Sequence, residues 1–469
     1  MQDWVMMLLP QIILAGVAVT VLSVRIASEQ LSRYSTTIGL VGTAAAFGSL
    51  WSVPTGRTLQ FATVDSMSLV GSGLIFVSLF IVLGYSSRFL ERFELAEAEW
   101  TFLLICSALG LTLMFNTTHL LVMFLGLELS SLAFYVLCGY IRDNKKSLES
   151  SIKYFILGSI GSAFFLLGVS LIFITQKGVN AAQFTSASTG FTLSFALVLV
   201  SLFFKLSLIP LHFWVPDVYE GAPTILTGYM SVAVKIGVIG ALIRLSAPVL
   251  EISGPALPWV AITWWFAAVT ILGGNLLALA QDSLKRMLAY SSIAHAGYVT
   301  LGLVSPAPTA RAYTAMLFYL SIYVLMNLLA FGIIGLLNKD EDFYVYSDLK
   351  GLSQTHPAMA LALAVSMISL SGLPPTAGFM GKLMLFKSVV TAGYPALAVV
   401  AVLGSLVSVA YYFRVIIYSY MRKPDADEAV FGLNTGPVVN LTAGLSAVII
   451  LYLGIHPTWF YEFIHTMGL

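Results

Sequence analysis

Charge is scarce in this chain, and the scarcity excludes most soluble proteins. Of 469 residues only 10% are charged against 58% hydrophobic, and the mean hydropathy is +0.92. Such a composition demands lipid as solvent. A net charge of +1 leaves no basic patch for nucleic acid. Cysteine is nearly absent. Cys106 and Cys138 both stand in apolar stretches with no second pair of ligands nearby, which excludes a disulfide framework and suggests no metal or iron–sulfur site. Any redox chemistry must therefore belong to a partner. Long polar segments are missing too: the most polar linkers are RDNKKSLE, NKDEDFYVYSDLK and RKPDADEA, and no soluble domain fits between them. The first apolar stretch follows a single acid, Asp3, without a basic leader or small-residue cleavage site, so it is expected to be a retained helix.

What the sequence has in abundance is apolar runs. Those long enough to cross the hydrocarbon predict about fourteen transmembrane helices, making an all-α polytopic membrane protein. They are expected near 4–26, 34–52, 66–87, 99–116, 118–140, 148–175, 191–214, 224–247, 257–279, 285–304, 311–337, 356–393, 396–421 and 436–461. Loops after odd-numbered helices hold about thirteen Lys and Arg residues against about four (Arg57, Lys177, Arg244, Arg311) after even ones, so both termini are expected outside.

The charges inside these runs carry the functional signal. Glu128, Lys205, Lys235 and Lys382 lie well within apolar stretches, and Lys153 just inside another. Each such charge costs about 2.5–3.5 kcal/mol at mid-membrane on insertion scales, so it needs a partner, a wet cavity or a function. At a rise of about 1.5 Å per residue, Glu128 is about 15 Å into its helix, with Lys235 and His295 about as deep, whereas Lys153 is only about 8 Å in and within snorkelling reach. These residues predict a chain that moves ions or protons.

Two helices are expected to be broken. A straight helix from His356 to Gly393 would be about 55 Å long, yet SGLPPTAG lies in its middle. Pro374 and Pro375 remove backbone donors there, while Gly372 and Gly378 permit dihedrals that a helix forbids. The seventh helix repeats the pattern in KLSLIP, with Lys205 before Pro210 as Lys382 follows Pro375. If helices four to eight (99–247) correspond to nine to thirteen (257–421), the two breaks coincide and the Glu128 helix falls on the His295 helix. An offset of this odd kind predicts inverted repeats with a midplane site, flanked by an N-terminal segment 1–98 and a C-terminal helix 436–469.

Other ionisable residues read as structural. His212 in PLHFW suits a packed loop as well as a relay, and His119 and His356 stand at helix starts. Asp217 and Glu220 in VPDVYEGAPT are expected to hold a loop by bonds to backbone donors. Arg414 and Lys387 fit snorkelling positions.

The motifs KLSLIPLHFWVPDVYEGAPT (Lys205 to Thr224), LKRMLAYSSIAHAGY (Leu284 to Tyr298), SLSGLPPTAGFMGK (Ser369 to Lys382) and LGLELSSLAFYVLCGY (Leu125 to Tyr140) resemble the antiporter-like membrane subunits of respiratory complex I, a family shared with multi-subunit sodium/proton antiporters. PDVYEGAPT, SLSGLPPTAGF and a lysine in the twelfth helix are similar to the N-type members. The resemblance implies a redox-free proton-translocating subunit of NADH:quinone oxidoreductase, in a bacterial inner membrane. Glu128 and Lys205 would form a switchable ion pair, Lys235 the central relay and Lys382 the connection to one side, with Lys153 and His295 as additional relay points. It also implies that NADH, FMN, iron–sulfur clusters and quinone are bound by partner subunits, K-type and M-type neighbours among them. The alternatives are a cation/proton antiporter subunit and a membrane-embedded enzyme, for which no nucleophile constellation is visible.

The residue types suggest how such a relay works. Desolvation disfavours a lysine's charged form and a nearby carboxylate restores it, so moving Glu128 relative to Lys205 would switch the lysine between holding and releasing a proton. Hops between helices would need bridging water.

Overall fold

The computed structural model describes all residues except 1, 60, 186–187, 254–257, 306–308, 338–343, 424–432, 434 and 469. Lys339 and most of the polar linkers expected after the eleventh and thirteenth helices lie outside the described residues.

Apolar runs become helices because a helix satisfies its own backbone polar groups, as lipid requires. In chain order they are α1 (Leu9–Ala27), α2 (Ser35–Ser49), α3 (Ser66–Arg92), α4 (Glu97–Phe115), α5 (Leu120–Cys138) and α6 (Lys145–Gln176). Next come α7a (Thr189–Leu206), α7b (Val215–Gly221), α8 (Thr224–Ser253), α9 (Trp259–Leu279) and α10 (Leu284–Thr300). The chain ends with α11 (Ala310–Gly335), α12a (Pro357–Ser371), α12b (Ala377–Thr391), α13 (Pro395–Tyr420), α14 (Pro437–Ile455) and α15 (Thr458–Gly468). Among the described residues the sheet content is one small hairpin, with Arg57 opposite Val64.

Eleven of these helices are long and apolar enough to cross a membrane. The expected spans 34–52, 285–304 and 356–393 coincide instead with the shorter α2, α10 and the α12a–α12b pair. Several starts are written in the sequence as caps: Asn144 accepts from the Lys146 and Ser147 amides to open α6, and Ser188 accepts from the Phe191 amide to open α7a.

Burial orders the bundle. α8 and α11 are mostly enclosed, and α8 packs on α3, α4 and α11 while α11 packs on both halves of the twelfth helix and on α14. Glycine sets the depth of α5: a β-carbon on Gly110 of α4 would lie 2.5 Å from the Gly126 carbonyl of α5, and one on Gly126 would lie 2.5 Å from the Gly110 carbonyl. The two backbones touch there, as small residues allow between membrane helices. That contact seats the helix carrying Glu128.

Four sequence expectations are corrected. The seventh helix stops at Leu206 instead of reaching 214, and VPDVYEG forms the short helix α7b instead of a loop, because Pro216 and Asp217 both favour a first turn. Arg244 is not a loop charge: it lies inside α8 with its side chain 8% exposed. Lys285 is likewise buried, in the first turn of α10.

Candidate functional site

Both expected breaks are present and end alike. α7a closes with the Ser207 amide bonded to the Phe204 carbonyl and the Leu208 amide to Phe203, while α12a closes with Gly372 bonded to Ser369 and Leu373 to Ile368. Each is the double bond pattern of a left-handed helix end, with φ of 66° at Ser207 and 79° at Gly372. The peptide bonds Ile209-Pro210 and Pro374-Pro375 are cis. Carbonyls at each end take further donors of different kinds. Phe204 O takes the Trp214 indole, whereas Leu370 O and Ser371 O each take the Lys382 ammonium at 3.0 Å.

The breaks hold their lysines on opposite sides. Lys205 stands in the last turn of α7a, where a cation faces the negative end of the helix dipole. Lys382 stands on α12b and reaches back across the break to the end of α12a, with Ser405 of α13 as its third acceptor at 2.9 Å. The β-carbon of any residue replacing Gly372 would lie 2.7 Å from Lys382 Cδ, so glycine serves there both for its backbone angle and to let the lysine pass.

α5 presents Glu128, Ser131 and Tyr135 at i, i+3 and i+7, one face of a helix. Lys205 Nζ donates to Ser131 at 2.8 Å and to Tyr135 at 3.4 Å and lies 5.1 Å from the centre of the Tyr154 ring. Glu128 accepts from Ser162 of α6 and makes no ion pair with Lys205, although its charge acts on that lysine. The expected pair is thus separated, with Ser131 between them. Beside Lys205 a small cavity, about 10 Å³ for the centre of a water, reaches toward Val234 and Val238 of α8. That is room for about one water.

Lys235 is bonded to the Ser231 carbonyl at 2.8 Å and to Ser292 Oγ of α10 at 2.5 Å. α10 then repeats the α5 arrangement, with Ser292, His295 and Tyr298 at three-residue spacing. His295 lies between Tyr319 and Tyr412, and the Lys382 ammonium sits 4.8 Å from the Tyr298 ring centre. A lysine therefore rests on the residue three past Glu128 in α5, and another on the residue three past His295 in α10. Lys205, Lys235, Lys382 and His295 are all buried.

Lys153 belongs elsewhere. It pairs with Glu149 at 2.6 Å and Asp217 at 3.0 Å, at the end of the bundle where α6 and α10 begin. Arg286 takes Asp217 from the other side at 2.9 Å and also Glu220 at 3.0 Å. These acids hold cations of α6 and α10 instead of the backbone donors expected for them. Lys285 adds a bond to the Ala222 carbonyl at the end of α7b. The lysine's link inward is its neighbour Tyr154, stacked on Trp214 at 4.7 Å.

Of the remaining residues, Arg414 pairs with Asp282 at 2.9 Å and covers Tyr346, and Lys387 is exposed on α12b. His119, His212 and His356 each have a buried Nδ1 without a partner. Sequence reasoning missed Ser131, Ser292, Tyr298 and Ser405, the neutral partners of the buried lysines. Helical spacing from Glu128 and His295 could have found the first three; nothing marks Ser405.

A family model described as NADH:quinone oxidoreductase/Mrp antiporter, TM, matches residues 117–408. The NADH-quinone oxidoreductase subunit N of Trichlorobacter lovleyi is 36% identical, over 97% of this chain and 95% of the relative. A chain of respiratory complex I from Thermus thermophilus with bound aureothin superposes with a TM-score of 0.83 at 32% identity, covering 97% of this chain and 98% of that one. A chain of the Mrp complex from Dietzia sp. reaches 0.81 at 21% identity over 98% and 97%, a likeness of fold alone.

Proposed function

We propose, since this chain belongs to the family of NADH-quinone oxidoreductase N subunits, that it is the redox-free proton-translocating membrane subunit of that complex, with a relay of Glu128, Lys205, Lys235, His295 and Lys382. The observation that carries the reading is the placement of buried ionisable groups on α7a, α8, α10 and α12b, each against a hydroxyl or aromatic ring of another helix. An uncompensated intramembrane charge is costly, and four in succession mark a pathway more than a packing need.

Glu128 and Lys205 act as the gate. In the arrangement described, Ser131 holds the ammonium and Ser162 the carboxylate. A shift of α5 against α7a that brings the two together strengthens the lysine's hold on its proton, and separation releases it. The proton then passes by water to Lys235, through Ser292 and His295, and on to Lys382. Lys153, in its surface cluster with Asp217, collects protons for the gate through Tyr154.

The wider assembly follows from the same reading. Helices α4–α8 and α9–α13 are two inverted repeats, K-type and M-type subunits are the neighbours, and both termini lie on the periplasmic side of a bacterial inner membrane. NADH, FMN, iron–sulfur clusters and quinone are bound by partner subunits, whose reaction drives the pump. The antiporter alternative has behind it the family description shared with Mrp antiporters and a likeness of fold, and the 36%-identical N subunit favours the main reading.

Replacing Lys205 or Glu128 by alanine is expected to lower NADH-driven proton pumping severalfold, together with the quinone reduction coupled to it, in membranes whose complex still assembles. Unchanged pumping by both variants would remove the gate from the mechanism.

A further inference from the structure

The relay leaves His295 with both ring nitrogens occupied. Nδ1 lies 2.5 Å from the Tyr319 hydroxyl and Nε2 lies 3.0 Å from that of Tyr412, and all three side chains are buried. A neutral imidazole donates from one nitrogen and accepts at the other, so one tyrosine must accept while the other donates. The site therefore has a built direction.

The two tyrosines also point to different lysines. Tyr412 shares a further hydrogen bond with Ser291, the neighbour of the serine that takes the Lys235 ammonium. Beside Lys235, the buried Tyr323 ring lies 5.7 Å from the ammonium. Tyr319 packs on the other side: a β-carbon on Gly381, next to Lys382, would lie 2.8 Å from its ring. Satisfying a buried histidine requires one donor and one acceptor of any kind. It does not require two phenols, one bonded to the serine beside the Lys235 acceptor and the other packed on the residue before Lys382.

We infer that Tyr412 and Tyr319 are relay residues that carry the proton into and out of His295. The cycle starts with the imidazole proton on Nδ1. Tyr412 gives its hydroxyl proton to Nε2 and takes another from a water protonated by the Lys235 ammonium. In concert, Nδ1 gives its proton to the Tyr319 oxygen, whose own proton passes by water to Lys382 once that lysine has released a proton onward and stands as the neutral amine. One O–H bond breaks and one forms at each tyrosine, one N–H forms and one breaks on the ring, and one proton moves in all. Reorientation of the two hydroxyls and of the imidazole ring, which carries its N–H back to the Tyr319 side, resets the site.

This inference rests on the proposed relay through Lys235 and Lys382, and the experiment separates the two. Tyr319→Phe and Tyr412→Phe keep ring and packing and remove only the hydroxyl. Pumping per electron pair and initial pumping rate are measured in native membranes, with assembly of the complex followed on native gels, beside Lys235→Ala, Lys382→Ala and His295→Ala. Each phenylalanine variant is expected to slow pumping by roughly a hundredfold, the lower end of the scale for one positioned proton-transfer group. Combined with His295→Ala, neither is expected to add to the loss, because both act through the same ring. Additive losses would make the tyrosines packing residues and overturn the inference. So would wild-type pumping by both phenylalanine variants while the lysine variants fail. Wild-type pumping by the lysine variants as well would overturn the relay and this inference together. Should a tyrosine variant fail to assemble, Ser291→Ala gives the same test from one bond further out: a pumping loss in step with the isotope effect in heavy water supports the path, and neither changing overturns it.

Discussion

Replacing Gly378 by alanine is expected to abolish pumping and to lower the amount of assembled complex. The added methyl would stand 1.8 Å from the Ser369 carbonyl oxygen and 2.7 Å from its carbon. Both are backbone atoms of α12a and cannot rotate away as a side chain does. The Gly378 amide also takes the Ser369 hydroxyl at 3.1 Å, so the two halves of the twelfth helix meet here with no spare room. Overpacking of this kind costs about 3 kcal/mol, the upper part of the usual range, or forces the halves apart. Separation would carry Lys382 off the Leu370 and Ser371 carbonyls and cost the Leu370 carbonyl that donor in a medium without water, while Ser371 keeps the Ser405 hydroxyl. Gly444→Ala in α14, where a β-carbon meets nothing within 4 Å, is the matched control and is expected to behave as wild type. Native gels and pumping assays on both variants check the result.

Asp65→Ala is expected to destabilise the chain nearly as much, at a place unrelated to the relay. Arg244 crosses from α8 to the start of α3 and grips Asp65 with both terminal nitrogens, at 2.5 and 2.6 Å, while taking Ser68 at 2.8 Å. Asp65 is itself the N-cap of α3, accepting from the Ser68 amide at 2.8 Å. Removing the carboxylate strands a guanidinium that is 8% exposed and uncaps a 27-residue helix at once. Breaking a buried pair costs about 3–5 kcal/mol; with Asp65 itself 38% exposed, about 3 kcal/mol is expected. Asp65→Asn, which keeps the cap and loses the charge, should fall between the two, and thermal unfolding of the purified complex measures each. The pair also predicts acid lability. Burial pushes the Asp65 carboxyl up, but the bonds and charge of Arg244, with the Ser68 bonds, hold it below its ordinary 3.8. A carboxyl lowered in the folded state stabilises fully above its ordinary value and loses that contribution as pH falls through the lower one. Unfolding should therefore steepen below about pH 4 in the wild type and not in Asp65→Ala.

The features legible in the sequence were those that violate a local rule. A lysine in an apolar run and two prolines in a helix stand out against their neighbours, which is why Lys205, Lys235, Lys382 and both breaks could be placed without coordinates. What stayed hidden obeys its local rule. Lys285 sits at a helix start, where a cation looks like a loop charge, and only packing reveals that it is buried against α7b. Arg244 sits near enough to a helix end to pass for a loop residue. Ser405 and Asn275 are small polar residues of a kind that apolar helices tolerate, and their partners, Lys382 and Ser371 for the first and the distant Tyr411 for the second, lie on other helices. The charged cluster around Asp217 was hidden for a different reason. Its acids were assigned to a loop, and a loop satisfies acids locally, whereas α7b turns them outward to Lys153 and Arg286.

The opposite placement of the two lysines at their breaks gives the chain a fore and an aft. Lys382 rides on the segment after its break and holds carbonyls of the segment before it, so a tilt of α12b drags the ammonium along those oxygens like a contact on a rail. Lys205 rides on the segment before its break and holds nothing beyond it; a tilt of α7b leaves it where it stands. The same mechanical stroke is thus a lever in one half and merely a push on an anchored post in the other.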